Sequence, residues 1–127
     1  MLNQSELADL RGKSKLKDYK KGTALIRANM KVKTAMIVVS GSVKETFKGE
    51  DGKHEFHLIR SVGSVLDAYD YTYKEESKCE AKARNNVKLY EIEESAINEL
   101  MKTNSEFKKI WFKYLFAYCY RLHDGLD

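Results

Sequence analysis

The imidazoles and thiols are few and scattered: His54, His57, His123, Cys79 and Cys119. A zinc site needs three or four such ligands converging on one point. The two cysteines stand far apart, with no histidine at ligand spacing. His54 and His57 fall on opposite faces of an extended segment, because strand side chains alternate. No metal site is therefore expected. Ser40 stands at a turn with no His and Asp signalled around it, so no nucleophilic triad is indicated. Cys79 falls in a strand-like run, where a thiol packs as a small apolar group. The densest chemistry lies in Tyr69-Asp70-Tyr71-Thr72-Tyr73-Lys74-Glu75-Glu76. Its three tyrosines alternate, so an extended backbone would place their rings on one face, either packed over an open end of the domain or lining a small-ligand site.

What holds these residues must be small. The 127 residues fit one domain, 1–127, with one modest core. Hydrophobic residues at 43% and charged residues at 33% are the composition of an ordinary globular chain rather than a disordered one. No apolar run approaches the ~20 residues that cross a bilayer. The N-terminus lacks a charged-then-apolar leader. Two cysteines without a pairing pattern suit a reducing compartment, so a cytoplasmic protein without membrane insertion is expected. The net charge of +4 invites a nucleic-acid reading. The basic stretch from Arg11 to Lys33 is followed by Asp51, Asp67, Asp70, Glu75, Glu76, Glu91, Glu93 and Glu94, which leave neither a concentrated basic stripe nor a reading helix. No nucleic-acid binding by this domain is expected.

Periodicity divides the chain in three. Residues 1–15 carry Leu2, Leu7 and Leu10 in a helical pattern. From 16 to 92, short β-branched or alternating runs are punctuated by Gly22, Gly41, Gly49, Gly52 and Gly63, the texture of β structure. Asp51-Gly52 between Val43–Phe47 and His54–Ile59 predicts a hairpin. Asn85-Asn86 predicts a second one, joining Glu80–Ala83 to Val87–Ile92. Over 95–122 the period becomes helical. Ser95 is placed as N-cap of a helix with Ile97, Leu100 and Met101 on one face. Ser105 is placed as N-cap of a longer one striped by Phe107, Ile110, Trp111, Tyr114, Leu115, Tyr118 and Leu122. Phe112, Phe116 and Tyr120 form a second apolar row on that helix, and a helix apolar on two sides needs a partner on the second.

This order of elements resembles the cyclic-nucleotide-binding domain family, an antiparallel β-roll of jelly-roll type with an N-terminal helix and C-terminal helices. The likeness rests on Tyr19-Lys20-Lys21-Gly22-Thr23-Ala24-Leu25-Ile26, on Met36-Ile37-Val38-Val39-Ser40-Gly41-Ser42-Val43, on Leu58-Ile59-Arg60-Ser61-Val62-Gly63-Ser64-Val65-Leu66, and on Val87-Lys88-Leu89-Tyr90-Glu91-Ile92. In the family a short helix, a Gly-Glu pair and an Arg hold the cyclic phosphate and ribose. Helix N-terminal amides and a guanidinium fork suit a phosphate. Counting from Gly63, this chain has Asp67-Ala68 where the resemblance implies Gly-Glu, and Ser77 or Lys78 where it implies Arg. Lys78 supplies a charge but not the fork. Asp67 and Asp70 put negative charge beside an anionic ligand.

The resemblance then implies a non-catalytic regulatory, sensor or interaction domain to which cyclic AMP and cyclic GMP do not bind tightly, and no cofactor. Its degenerate pocket would comprise Gly63, Asp67, Ala68, Tyr69, Tyr71, Ser77, Lys78 and Cys79. Such domains occur in cytosolic parts of channels and exchangers, in kinase regulatory subunits and in catabolite-activator-type transcription regulators, so a larger parent protein is expected. The partners expected are its other domains or a second copy, held through Phe112, Phe116 and Tyr120. Two alternatives stand beside this: a sensor for another small ligand in a rewritten pocket, and a cupin-like enzyme, which would need a metal cluster.

Overall fold

In the structure, a computed structural model, residues 3–49, 51–66, 76–77, 79–109 and 111–112 are described. Helix α1 (Gln4–Leu10) and a 3-10 turn (Arg11–Lys13) precede seven strands: β1 (Lys15–Tyr19), β2 (Ala24–Ile26), β3 (Thr34–Ser40), β4 (Val43–Lys48), β5 (Glu55–Arg60), β6 (Cys79–Ala83) and β7 (Val87–Glu93). Helix α2 (Glu94–Thr103) follows, and residues 105–109 and 111–112 are helical again. The strands form two antiparallel sheets, ordered β1-β7-β3 and β2-β6-β4-β5. The fold is the β-roll with flanking helices that the periodicity predicts.

Alternation decides what each strand buries. In β4, Val43, Glu45 and Phe47 point inward while Lys44 and Lys48 stay outside, and in β6 the inward residues are Cys79, Ala81 and Ala83. Strand β3 breaks the alternation: Ala35, Met36, Ile37 and Val38 are all buried. A strand reads as a continuous apolar run when both its faces are covered. The second cover is α2, which packs on β3 and β7. Strand β1 is the opposite case, a lysine-bearing edge with Leu16 53% exposed. Charged edges resist pairing with another chain.

The Asp51-Gly52 hairpin is as expected: β4 pairs with β5 from Val43↔Arg60 to Lys48↔Glu55, and Gly52 takes φ +69°. Asp51 caps the turn, accepting hydrogen bonds from the His54 and Lys53 backbone N–H groups, which hold its carboxyl below the ordinary value. The second hairpin is a correction. Strands β6 and β7 lie where expected but in different sheets, so residues 84–86 form a corner between sheets. Asn85 Oδ1 accepts from the Ser42 N–H and Asn86 Oδ1 from the Lys21 N–H. These side chains tie the corner to two neighbouring loops instead of closing a tight turn on itself.

Both helix starts move toward the N-terminus, the first cap by two residues and the second by one. Helix α2 begins at Glu94 directly from β7, with Glu93 as a cap that makes no side-chain bond; Ser95 lies inside the first turn. Glu94 there places a carboxylate near the positive end of the helix dipole. At the next helical stretch the cap is Asn104, not Ser105: its Oδ1 accepts from the Phe107 N–H at 3.0 Å. Asn caps as well as Ser, and it stands one residue earlier. Ile97, Leu100, Phe107 and Trp111 are buried as the stripes predict, together with Leu7 and Leu10 of α1. Ile110, Tyr114, Leu115, Tyr118 and Leu122 lie outside the described residues.

Candidate functional site

Two chain segments carry the described members of the pocket expected from the sequence. The first is zipped to β3: the Gly63 N–H donates to Val38 O, Val38 N–H to Ser64 O, and Leu66 N–H to Met36 O, all within 2.8–3.0 Å. Gly63 has φ +91°, a left-handed conformation that glycine adopts without steric cost. The second segment is pinned to the loop after β2, where Asn29 N–H donates to Ser77 O and Ser77 N–H to Met30 O, both at 2.8 Å. Ser77 is buried. Its Oγ receives the Cys79 N–H and lies 3.2 Å from Cys79 O and 3.6 Å from Cys79 Sγ.

Of the predicted pocket, Gly63, Ser77 and Cys79 are described and all three are buried. Asp67, Ala68, Tyr69, Tyr71 and Lys78 lie outside the described residues, as do the other members of the tyrosine-rich segment up to Glu75. Of the interface row, Phe112 is described and 38% exposed, while Phe116 and Tyr120 lie outside.

Sequence reasoning missed the two most highly charged members of this interior. Glu45, on β4, is wholly buried, and Arg60, at the end of β5, is 6% exposed. The Arg60 Nε donates to Glu45 Oε1, and the other carboxylate oxygen lies 3.9 Å from Cys79 Sγ. Register explains the meeting. Glu45 faces Leu58 on one side and Ala81 on the other, and Arg60 is the diagonal, same-face neighbour on β5. Glu45, Arg60, Ser77 and Cys79 thus form one polar cluster inside an apolar core. The signal was present: in Val43-Lys44-Glu45-Thr46-Phe47 the alternation puts a carboxylate on the face of Val43 and Phe47.

Among the described residues, no group of three or more His, Cys, Asp and Glu could hold a metal. His57 faces outward from β5, with Nδ1 2.9 Å from Thr46 Oγ1, so it belongs to the surface of the sheet. No helix among the described residues is long and apolar enough to cross a membrane.

A glycine-cornered roll of two antiparallel sheets, closed by helices at both ends, is the architecture of nucleotide-sensing regulatory domains. The chain belongs to the cyclic nucleotide-binding domain family, whose model matches residues 16–104. Solved structures agree on the fold. A transcriptional regulator from Thermotoga maritima is 16% identical with a TM-score of 0.79, covering 94% of this chain and 94% of its own. The catabolite activator protein of Thermus thermophilus is 17% identical with a TM-score of 0.76, covering 97% of this chain and 57% of its own. Oxidized CprK in complex with o-chlorophenolacetic acid is 17% identical with a TM-score of 0.71, covering 94% and 49%. The chain therefore spans about half the length of the last two. No curated protein matches the sequence.

Proposed function

We propose that this chain is a non-catalytic regulatory domain, 1–127, that has lost the family's way of gripping a cyclic nucleotide and works within a larger assembly in the cytoplasm. The observation that carries this reading is Ser77. It is one of the two positions, with Lys78, where the resemblance asks for the phosphate-binding Arg, and its hydroxyl is engaged by Cys79. The guanidinium inside the roll is on another strand, and it is engaged by Glu45. A hydrogen bond to a charged group is worth ~1.5–3 kcal/mol, and both the phosphate fork and the ribose carboxylate are missing at their family positions. Each ~1.4 kcal/mol is a factor of ten, so a micromolar site becomes millimolar. Isothermal titration of the full chain with cyclic AMP and cyclic GMP is expected to give no saturable heat at micromolar ligand. A dissociation constant in the low micromolar range overturns the reading.

A second reading has its own support: the roll senses a different small molecule. The solved CprK complex holds o-chlorophenolacetic acid, an aromatic carboxylic acid. Three tyrosines in the cassette segment of this chain would suit an aromatic ligand. The cupin-like enzyme has no such support and is set aside. As partner, the chain's other domains or a second copy would dock on the row begun by Phe112 and continued in sequence by Phe116 and Tyr120. That two proteins of the same fold, CprK and a catabolite activator protein, are about twice as long as this chain supports a further domain beside it.

A further inference from the structure

We propose that Glu45 is a built-in anionic ligand for Arg60, so that the roll fills with its own carboxylate the place at which a soluble anion would otherwise bind. Among the described residues, Arg60 is the buried cation and Glu45 the buried anion, and each meets the other. They project from the same buried face of adjacent strands, and the second Glu45 carboxylate oxygen lies 3.9 Å from Cys79 Sγ.

Stability alone does not account for the pair. Taking two charges out of water costs about as much as their attraction returns, and apolar residues of similar volume do as well or better. The neighbours Val43 and Phe47 show that the same face accepts apolar side chains. A buried guanidinium must nevertheless carry a counter-charge. In a sensor the ligand supplies it and stabilises the bound form. Here the chain supplies it, from a central strand hydrogen-bonded on both sides. The consequence is a closed contact that excludes free carboxylate and phosphate from Arg60 and makes the interior state independent of them. This holds whether or not cyclic nucleotides bind elsewhere in the roll, so it stands apart from the functional reading above.

The test is chemical rescue in the full chain. Thermal melting is followed in acetate and in chloride at equal ionic strength, for wild type, Glu45→Ala and the double variant Glu45→Ala, Arg60→Met. Wild type is expected to melt at the same temperature in both salts. Glu45→Ala is expected to melt roughly 10 °C or more lower in chloride, since one partner of a buried pair is gone, and to recover about half of that loss in acetate with saturation. The double variant, with no cation left to neutralise, is expected to be indifferent to acetate. Should Glu45→Ala be unfolded in chloride, the readout becomes the β-sheet circular-dichroism signal regained in acetate, repeated with Glu45→Ser, which keeps one polar atom beside the guanidinium. Acetate-specific recovery absent from both variants overturns the proposal, because Arg60 is then a structural staple closed to solutes. Saturable stabilisation of wild type by acetate overturns it equally, because Arg60 is then an open anion site.

Discussion

Gly41 leaves no room for a side chain. It takes φ +84°, and a Cβ built there would meet the Asn86 carbonyl oxygen at 2.4 Å and Asn85 Oδ1 at 2.7 Å. Both atoms belong to the corner between the sheets, and Asn85 Oδ1 already accepts from the Ser42 N–H. Gly41→Ala would force an L side chain into a left-handed conformation and push the corner away from β3 and β4 at once. Strain of this kind costs of order 1–3 kcal/mol, with the clash added to it. A lowered urea midpoint with unchanged slope is the expected result. Gly22 is the instructive contrast: its φ is +86° but nothing lies within 4 Å of its added Cβ. Gly22→Ala should therefore lose less.

The helices are placed by caps and stripes that neighbouring residues compete to supply. Asn104 wins the cap before Phe107 because its side chain reaches the Phe107 N–H while the Lys108 N–H bonds its carbonyl. Asn104→Ala is expected to cost about 0.5–2 kcal/mol and Ser105→Ala close to nothing. The reverse order in paired denaturant melts would restore Ser105 as the cap. This cap matters beyond its own turn, since the Phe107 and Trp111 rings meet tilted, with centroids 5.6 Å apart, and both are buried in the core. At strand level the same competition appears in β6. Its inward Cys79, Ala81 and Ala83 are small, and the buried Glu45 of β4 stands directly opposite Ala81.

For the molecule as a whole, the question is what covers the outer side of the last helical stretch. Phe112 is 38% exposed there, beside the buried Trp111. Large aromatics exposed in rows mark contact sites, and aromatic side chains are the common anchors of interfaces. Sedimentation of the full chain is expected to show concentration-dependent self-association that Phe112→Ser weakens by at least several-fold. A monomer at every concentration, for both proteins, would leave Phe112 without the second copy proposed for it.

Which segments are strands and which are helices was determined by residue order alone. Glycine turns and period-two runs mark 16–92, and the three-and-four spacing of Ile97, Leu100, Phe107 and Trp111 marks the helices beyond β7. These signals are local, because each depends on backbone preferences and on one face of one element. Partners were decided only by the tertiary structure. Asn85-Asn86 looks like a hairpin turn and becomes a corner, since whether two successive strands pair or part depends on loops at Ser42 and Lys21, distant in the chain. Ser77 and Cys79 could be placed near a pocket by analogy. That Glu45 and Arg60 join them could not, because alternation states which face a side chain takes and only register states what it meets there.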